Sequence, residues 1–297
     1  MIQTVTGKID NRDLGLTLSH EHLTIDLTSV RGDEDSVFDD VELMVDALRP
    51  VVEGGFKSLI EVTNMGMGRT ATDLRDISRM LNMNIIASTG YYQFIYYPEY
   101  VLHATAEEIS KQFVRELELG MDDTDIKAGV IAEIGSSFNC IRPEEEKVFI
   151  AAAKAHGQTG AGIITHCEQG TMAHEQLALL RRHGVSVNKV IMGHMDLVED
   201  IGYLERLLES GVTIGKAGYV SDERRLSHLL ELLDKGYSNQ LTLSMDITRK
   251  SYLEQNGGHG YGHLQRCFIP KLKAHGISDA VISRMLCDNL VNFLSIE

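Results

Sequence analysis

Eight short apolar runs, separated by longer amphipathic stretches, limit what this chain can fold into more than any other feature. The runs cover residues 14–19, 58–62, 85–88, 129–134, 162–165, 189–193, 211–215 and 240–245. Each has the length of a buried strand, and the intervening stretches carry helical periodicity. Within 40–53, Val41, Met44, Val45, Leu48 and Val52 recur at three- and four-residue spacing. Thr105-Ala106-Glu107-Glu108 is a capping box that opens a helix with Ile109, Phe113 and Leu117 on one face. Pro143 stands at the start of the next, where its missing N–H costs little. Helical stretches at 172–183, 198–210 and 222–235 are each followed by glycine, at Gly184, Gly211 and Gly236. Two more, 264–275 and 278–294, follow the last run.

Eight strand–helix units in 297 residues predict an α/β fold, a closed (β/α)8 TIM barrel, in a single domain spanning residues 1–297. The rival is an open doubly wound sheet, which usually carries a glycine-rich phosphate turn after its first strand. Here that position reads Ser19-His20-Glu21-His22, with no glycine. The segments 28–39, 91–104 and 251–263 lack periodicity and are expected as loops over the catalytic rim.

Residues able to hold a metal stand at the ends of these runs. On a strand, His20 and His22 point one way and Glu21 the other. Glu133 ends the fourth run, His166 the fifth, His194 the sixth and Asp246 the eighth. A barrel gathers its strand ends around one axis. Four imidazoles and two carboxylates exceed the needs of one tetrahedral ion and suit two divalent ions about 3.5–4 Å apart. Each residue also has an ordinary alternative. Glu133 can pair with an arginine, His194 can cap a helix, and His166 can be a hydrogen-bonded core histidine.

Composition narrows the partners. The net charge is −15, and a surface this acidic disfavours nucleic acid and anionic membranes. The four cysteines form no CxxC pair, so neither a disulfide framework nor a zinc ribbon is expected. No basic-then-apolar leader opens the chain, and no apolar run nears the roughly 20 residues a bilayer demands. A cytoplasmic protein with a small-molecule substrate is the expectation.

The order of His-x-His, carboxylate, two single histidines and aspartate resembles the amidohydrolase superfamily. More narrowly, the chain resembles the phosphotriesterase family, nearest the branch of phosphotriesterase homology proteins. The stretches that carry the likeness are Leu18-Ser19-His20-Glu21-His22-Leu23, Ser88-Thr89-Gly90-Tyr91-Tyr92, Ala132-Glu133-Ile134-Gly135, Gly193-His194-Met195-Asp196 and Ser244-Met245-Asp246-Ile247-Thr248-Arg249. The resemblance implies that His20, His22 and Asp246 hold one ion, that His166 and His194 hold a second, and that Glu133 bridges them. Many relatives bridge with a carboxylated lysine, and Glu133 departs from that. The implied cofactors are two divalent metal ions, zinc first, with manganese, iron and cobalt suited to the same donors. A hydroxide between the ions would be the nucleophile, with Asp246 as general base. A homodimer is the family-level expectation.

Substrate choice rests on the loops after the seventh and eighth runs. Lys216, Arg249 and Tyr252 are candidates for an anion cradle, as in relatives acting on phosphorylated sugar lactones. The alternative is that Arg249 pairs with a local acid and Lys216 is solvated. Tyr92 is a candidate donor to the substrate oxygen or a packing residue. The short loop after the seventh run and the absence of tryptophan argue against long-chain lactones and bulky aryl phosphotriesters. The expected activity is hydrolysis of a small anionic ester, with a phosphorylated sugar lactone foremost. A phosphotriester or phosphodiester is the alternative, and a weakly catalytic metal-dependent binding protein is the alternative of another class. Cys167 is expected in the core, and 257–262 as a lid or an ordinary surface loop.

Overall fold

The computed structural model describes residues 1–216 and 221–296, with the side chain of Lys216 also outside that set. Eight strands form one parallel sheet: β1 Leu16–Glu21, β2 Phe56–Glu61, β3 Asn84–Thr89, β4 Val130–Ser136, β5 Ile163–Cys167, β6 Val190–Met192, β7 Thr213–Lys216 and β8 Leu241–Leu243. They pair in chain order and curl into a nearly closed barrel. Seven outer helices follow the strands: α1 Val41–Glu53, α2 Ala71–Leu81, α3 Ala106–Glu118, α4 Pro143–Thr159, α5 Ala173–Arg182, α6 Ile201–Glu209 and α7 Asp222–Asp234. The chain ends in helical segments interrupted by π turns at Leu264–Phe268 and Arg284–Asp288. No helix among the described residues is long and apolar enough to cross a membrane.

The local rules read from the sequence are realised in the caps and faces. Asp40 accepts a hydrogen bond from Leu43 N at the start of α1. Thr105 and Glu108 exchange capping-box bonds, and α3 buries Ile109, Phe113 and Leu117. A cap of this kind contributes about 1 kcal/mol, so these ends are fixed before packing is counted. A separate inner core, including Ile60, Ile86, Val130, Ala132, Ile164 and Ile191, packs against Ile2, Leu290 and Phe293. Alternation accounts for it: Ile163 and Cys167 of β5 belong to the outer core and Ile164 to the inner one. Cys167 is fully buried there, as expected.

Several boundaries differ from the sequence reading, for physical reasons. β1 extends to Glu21, so His20 lies within the strand and His22 just beyond it. β8 stops at Leu243, because Asp246 adopts a φ of 56° that no strand tolerates. The segments 28–39 and 91–104 contain short helices at Thr28–Arg31 and Glu99–His103, and Val37–Phe38 pairs with Ile25–Asp26. Local side-chain acceptors organise the first of these: Asp26 takes the N–H of Thr28, and Asp33 that of Ser36.

Candidate metal centre

The barrel brings all six predicted ligands to one mouth. Glu133 depends on a break in register. β4 pairs with β5 at Ile131, shifts, and resumes at Ile134. A bulge of this kind re-aims a side chain, and Glu133 turns to the mouth while Ile131 and Ile134 stay in the outer core. His194 leaves β6 with φ 60°, directly after Gly193. A Cβ on that glycine would lie 2.3 Å from the carbonyl oxygen of Thr165, so the chain passes there only without a side chain.

Three imidazoles converge on one oxygen. His166 Nδ1 is 2.8 Å from Glu133 Oε1, His194 Nε2 is 2.9 Å away and His20 Nε2 is 3.2 Å away. His22 Nε2 lies 3.3 Å from Asp246 Oδ1 and His20 Nε2 lies 3.9 Å from it. Donor atoms of His20, His22 and Asp246 fall within 4.8 Å of one another, as do those of His20, Glu133 and His194. His20 therefore stands in both groups.

Electrostatics follow from this crowding in a buried place. Burial pushes the Glu133 carboxyl up, but the imidazoles of His166 and His20 outweigh it and hold the group well below the usual range. Burial likewise raises Asp246, and the His22 hydrogen bond with the charges of His194 and His20 reverses the shift. Burial pulls His194 down, yet its bond to Glu133 and the charge of Asp246 bring it up to about 9. The carboxylates thus stay ionised, and without a metal His20 and His194 hold a proton more readily than free imidazoles, the nearby charges of Glu133 and Asp246 outweighing burial. His20 Nε2 is buried, and its 3.2 Å approach to Glu133 Oε1 is not aligned as a hydrogen bond. Ring nitrogens aimed at shared carboxylate oxygens, one of them unsatisfied, suit divalent cations better than a proton network. The donor set fits the two ions that the sequence reading expects.

Supporting contacts lie behind the cluster. Thr63 Oγ1 is 2.8 Å from His22 Nδ1, leaving Nε2 to face the site. Glu168 Oε2 is 3.0 Å from His166 Nε2 and is itself held by Gln93 Nε2 at 2.8 Å. The His166 bond, against the rise from burial, lowers Glu168 to about 2. Asn64 Nδ2 holds the Glu133 carbonyl at 3.1 Å. The sequence reading missed these residues. For Glu168 a signal existed, since it lies two residues beyond His166, just past the end of β5.

The substrate-side candidates divide. Tyr92 Oη is 3.2 Å from His166 Nε2, so it faces the cluster. Arg249 takes the local-acid alternative: its Nη1 is 3.2 Å from Asp33 and 3.4 Å from Asp35. Tyr252 is half-buried and packs against the outer core. Lys216 ends β7, and its side chain lies outside the described residues. In the segment 257–262, Tyr261 is buried and its hydroxyl donates to the carbonyl of His22, which anchors this stretch to β1.

A (β/α)8 barrel with four histidines and two carboxylates at its mouth defines a metal-dependent hydrolase by its layout. The chain belongs to the phosphotriesterase family, whose model matches residues 1–294. It is 44% identical over 284 residues to a phosphotriesterase homology protein of Escherichia coli, covering 94% of this chain and 97% of that one. The crystal structure of the E. coli phosphotriesterase homology protein, complexed with phosphate in its active site, superposes with a TM-score of 0.93 at 41% identity, covering 97% of this chain and 100% of that one. A lactonase from Listeria monocytogenes matches with a TM-score of 0.94 at 26% identity, over 100% of this chain and 99% of that one. The family is binuclear and metal-dependent, and this chain is a metal-dependent hydrolase of ester bonds in small molecules.

Proposed function

We propose that this enzyme hydrolyses a small anionic ester, foremost a phosphorylated sugar lactone, at two divalent ions. His20, His22 and Asp246 hold one ion, His166 and His194 hold the other, and Glu133 is shared. The observation that carries this is the convergence of His20, His166 and His194 on one oxygen of Glu133, with His22 and Asp246 alongside. Two bound cations supply an acidified water and a Lewis acid for the ester carbonyl. The chain's own residues do the rest. Asp246, ionised and next to His22, accepts the nucleophile's proton and returns it to the leaving oxygen. Tyr92 has its hydroxyl at the cluster and donates to the substrate oxygen. Lys216, Arg249 and Tyr252 form the cradle for the substrate's anionic group. Arg249 must then exchange Asp33 and Asp35 for the incoming anion, so those two acids take part in selecting it.

The Listeria lactonase and the phosphate in the E. coli structure support a lactone with an anionic arm. The same phosphate keeps a phosphoester as the second reading, because the same centre serves phosphorus. The test joins metal analysis with a panel of lactones, phosphotriesters and phosphodiesters at neutral pH. Asp246→Asn is expected to retain most metal and lose roughly 10²–10⁴-fold in kcat, the usual worth of a proton-transfer group. Arg249→Met is expected to weaken anionic members of the panel selectively. Equal loss on neutral and anionic compounds would refute the cradle. Turnover confined to phosphoesters would replace the lactone reading.

A further inference from the structure

β1 and β8 complete the barrel without exchanging ladder hydrogen bonds among the described residues: pairing runs from β1 round to β8 and stops there. Side chains join them instead. Ser19 Oγ donates to Leu243 O at 3.1 Å, and His20 N donates to Ser244 Oγ at 3.0 Å. The Ser244 hydroxyl in turn donates to Glu21 Oε1 at 2.5 Å, and Met245 N donates to the same oxygen at 2.7 Å. Ile247 N donates to the second oxygen, Oε2, at 3.1 Å. Glu21 is fully buried and uses both oxygens on this one turn.

The donors Met245 and Ile247 flank Asp246, whose φ of 56° is one that residues other than glycine rarely hold. Glu21 therefore grips the peptide on either side of a residue held at positive φ. It is also the middle residue of His20-Glu21-His22, whose two imidazoles face the mouth. We propose that Glu21 is a positioning residue that sets Asp246 relative to His20 and His22. The segment presenting two ligands fixes, through its opposite face, the turn that presents the third. This inference rests on the proposed reading of those three residues as a metal site.

Only an acceptor of two oxygens serves this turn. Glutamine at position 21 has nearly the same shape, but its amide sets N–H groups against one of the N–H donors. Glu21→Gln is compared with Ser19→Ala in the full-length protein. Ser19→Ala removes a bond across the same seam without touching the Asp246 turn. Cobalt affinity, measured by chelator competition, is expected to fall about 10–100-fold in Glu21→Gln, the usual effect of losing a group that orients a ligand. The cobalt absorption spectrum should change shape, and kcat should fall with little change in KM. Ser19→Ala should keep the wild-type affinity and spectrum. In the metal-free wild type, the amide protons of Met245 and Ile247 should exchange slowly, as buried and bonded ones do. Equal cobalt affinity in the two variants, or fast exchange at both amides, would overturn the inference. A wild-type protein that binds no metal would instead sink the proposed function, and the amide exchange would then decide the role of Glu21 alone.

Discussion

The two halves of the mouth are built by different means. Glu133 and His166 rise from β4 and β5 and His194 stands just past β6, three neighbours in a parallel ladder that shifts register once, between Ile131 and Ile134. Backbone hydrogen bonds fix their spacing, and their side chains meet at a single carboxylate oxygen. His20, His22 and Asp246 straddle the seam between β1 and β8, where no ladder runs among the described residues. Buried side chains replace it, with Ser19 on Leu243 and Glu21 on the Asp246 turn. The ladder half should thus tolerate changes around it and fail only when a converging group is lost. The seam half should respond to residues that never face the mouth.

The largest effect expected is in the ladder half itself. Glu133→Gln keeps the shape but removes the charge on which three imidazoles converge. Breaking a buried charged pair by removing one partner costs about 3–5 kcal/mol of stability, so the melting temperature of the metal-free variant should fall as well. Metal stoichiometry by elemental analysis should drop by at least one ion per chain. Full stoichiometry in this variant would show that Glu133 is no bridge. A smaller effect is expected from Glu168→Gln, which weakens the hold on His166 Nε2 but leaves the ladder intact. Metal affinity by chelator competition should fall about tenfold, the low end for losing an orienting carboxylate. A loss as large as that of Glu133→Gln would erase the distinction between the halves.

The smallest effect concerns pH on the other side of β1, where Glu61 of β2 takes Leu23 N at 3.1 Å. Burial raises the Glu61 carboxyl from 4.5 to about 8, against bonds from Thr63 and Leu23 that lower it. A carboxyl raised on folding binds its proton more tightly in the native state. Stability is therefore full below pH 4.5 and declines as pH climbs through about 8. Glu61→Gln carries no such proton. Its melting temperature should gain on the wild type as pH rises through that window. Parallel melting curves for the two proteins across the window would mean that Glu61 enters the native state ionised.

Which parts were legible in the sequence follows the same division. The eight runs, the capping box at Thr105 and the order of histidines identified the barrel and its six mouth residues, because strand ends and helix starts are written locally. Glu133 was found from its place at the end of a run, yet strict alternation would have turned it outward with Ile131. The register break that brings it in leaves no mark in residue types. Glu21 and Glu61 were passed over because they occupy the face away from the mouth, and nothing local shows that their partners are turns rather than water. The pairing of Arg249 with Asp33 and Asp35 joins residues more than 200 positions apart, which only the closed barrel brings together.

The inner core described above closes the barrel below its mouth: Ile60, Ile86, Val130, Ala132, Ile164 and Ile191 fill the interior, with Leu290 and Phe293 packed against them. Among the described residues, such a vessel opens at its mouth. What enters to be cleaved and what departs afterwards must use the same passage, so spent acid still lodged at the threshold blocks the next arrival. Product should therefore act as a competitive inhibitor, and slow turnover late in a reaction would reflect traffic rather than chemistry.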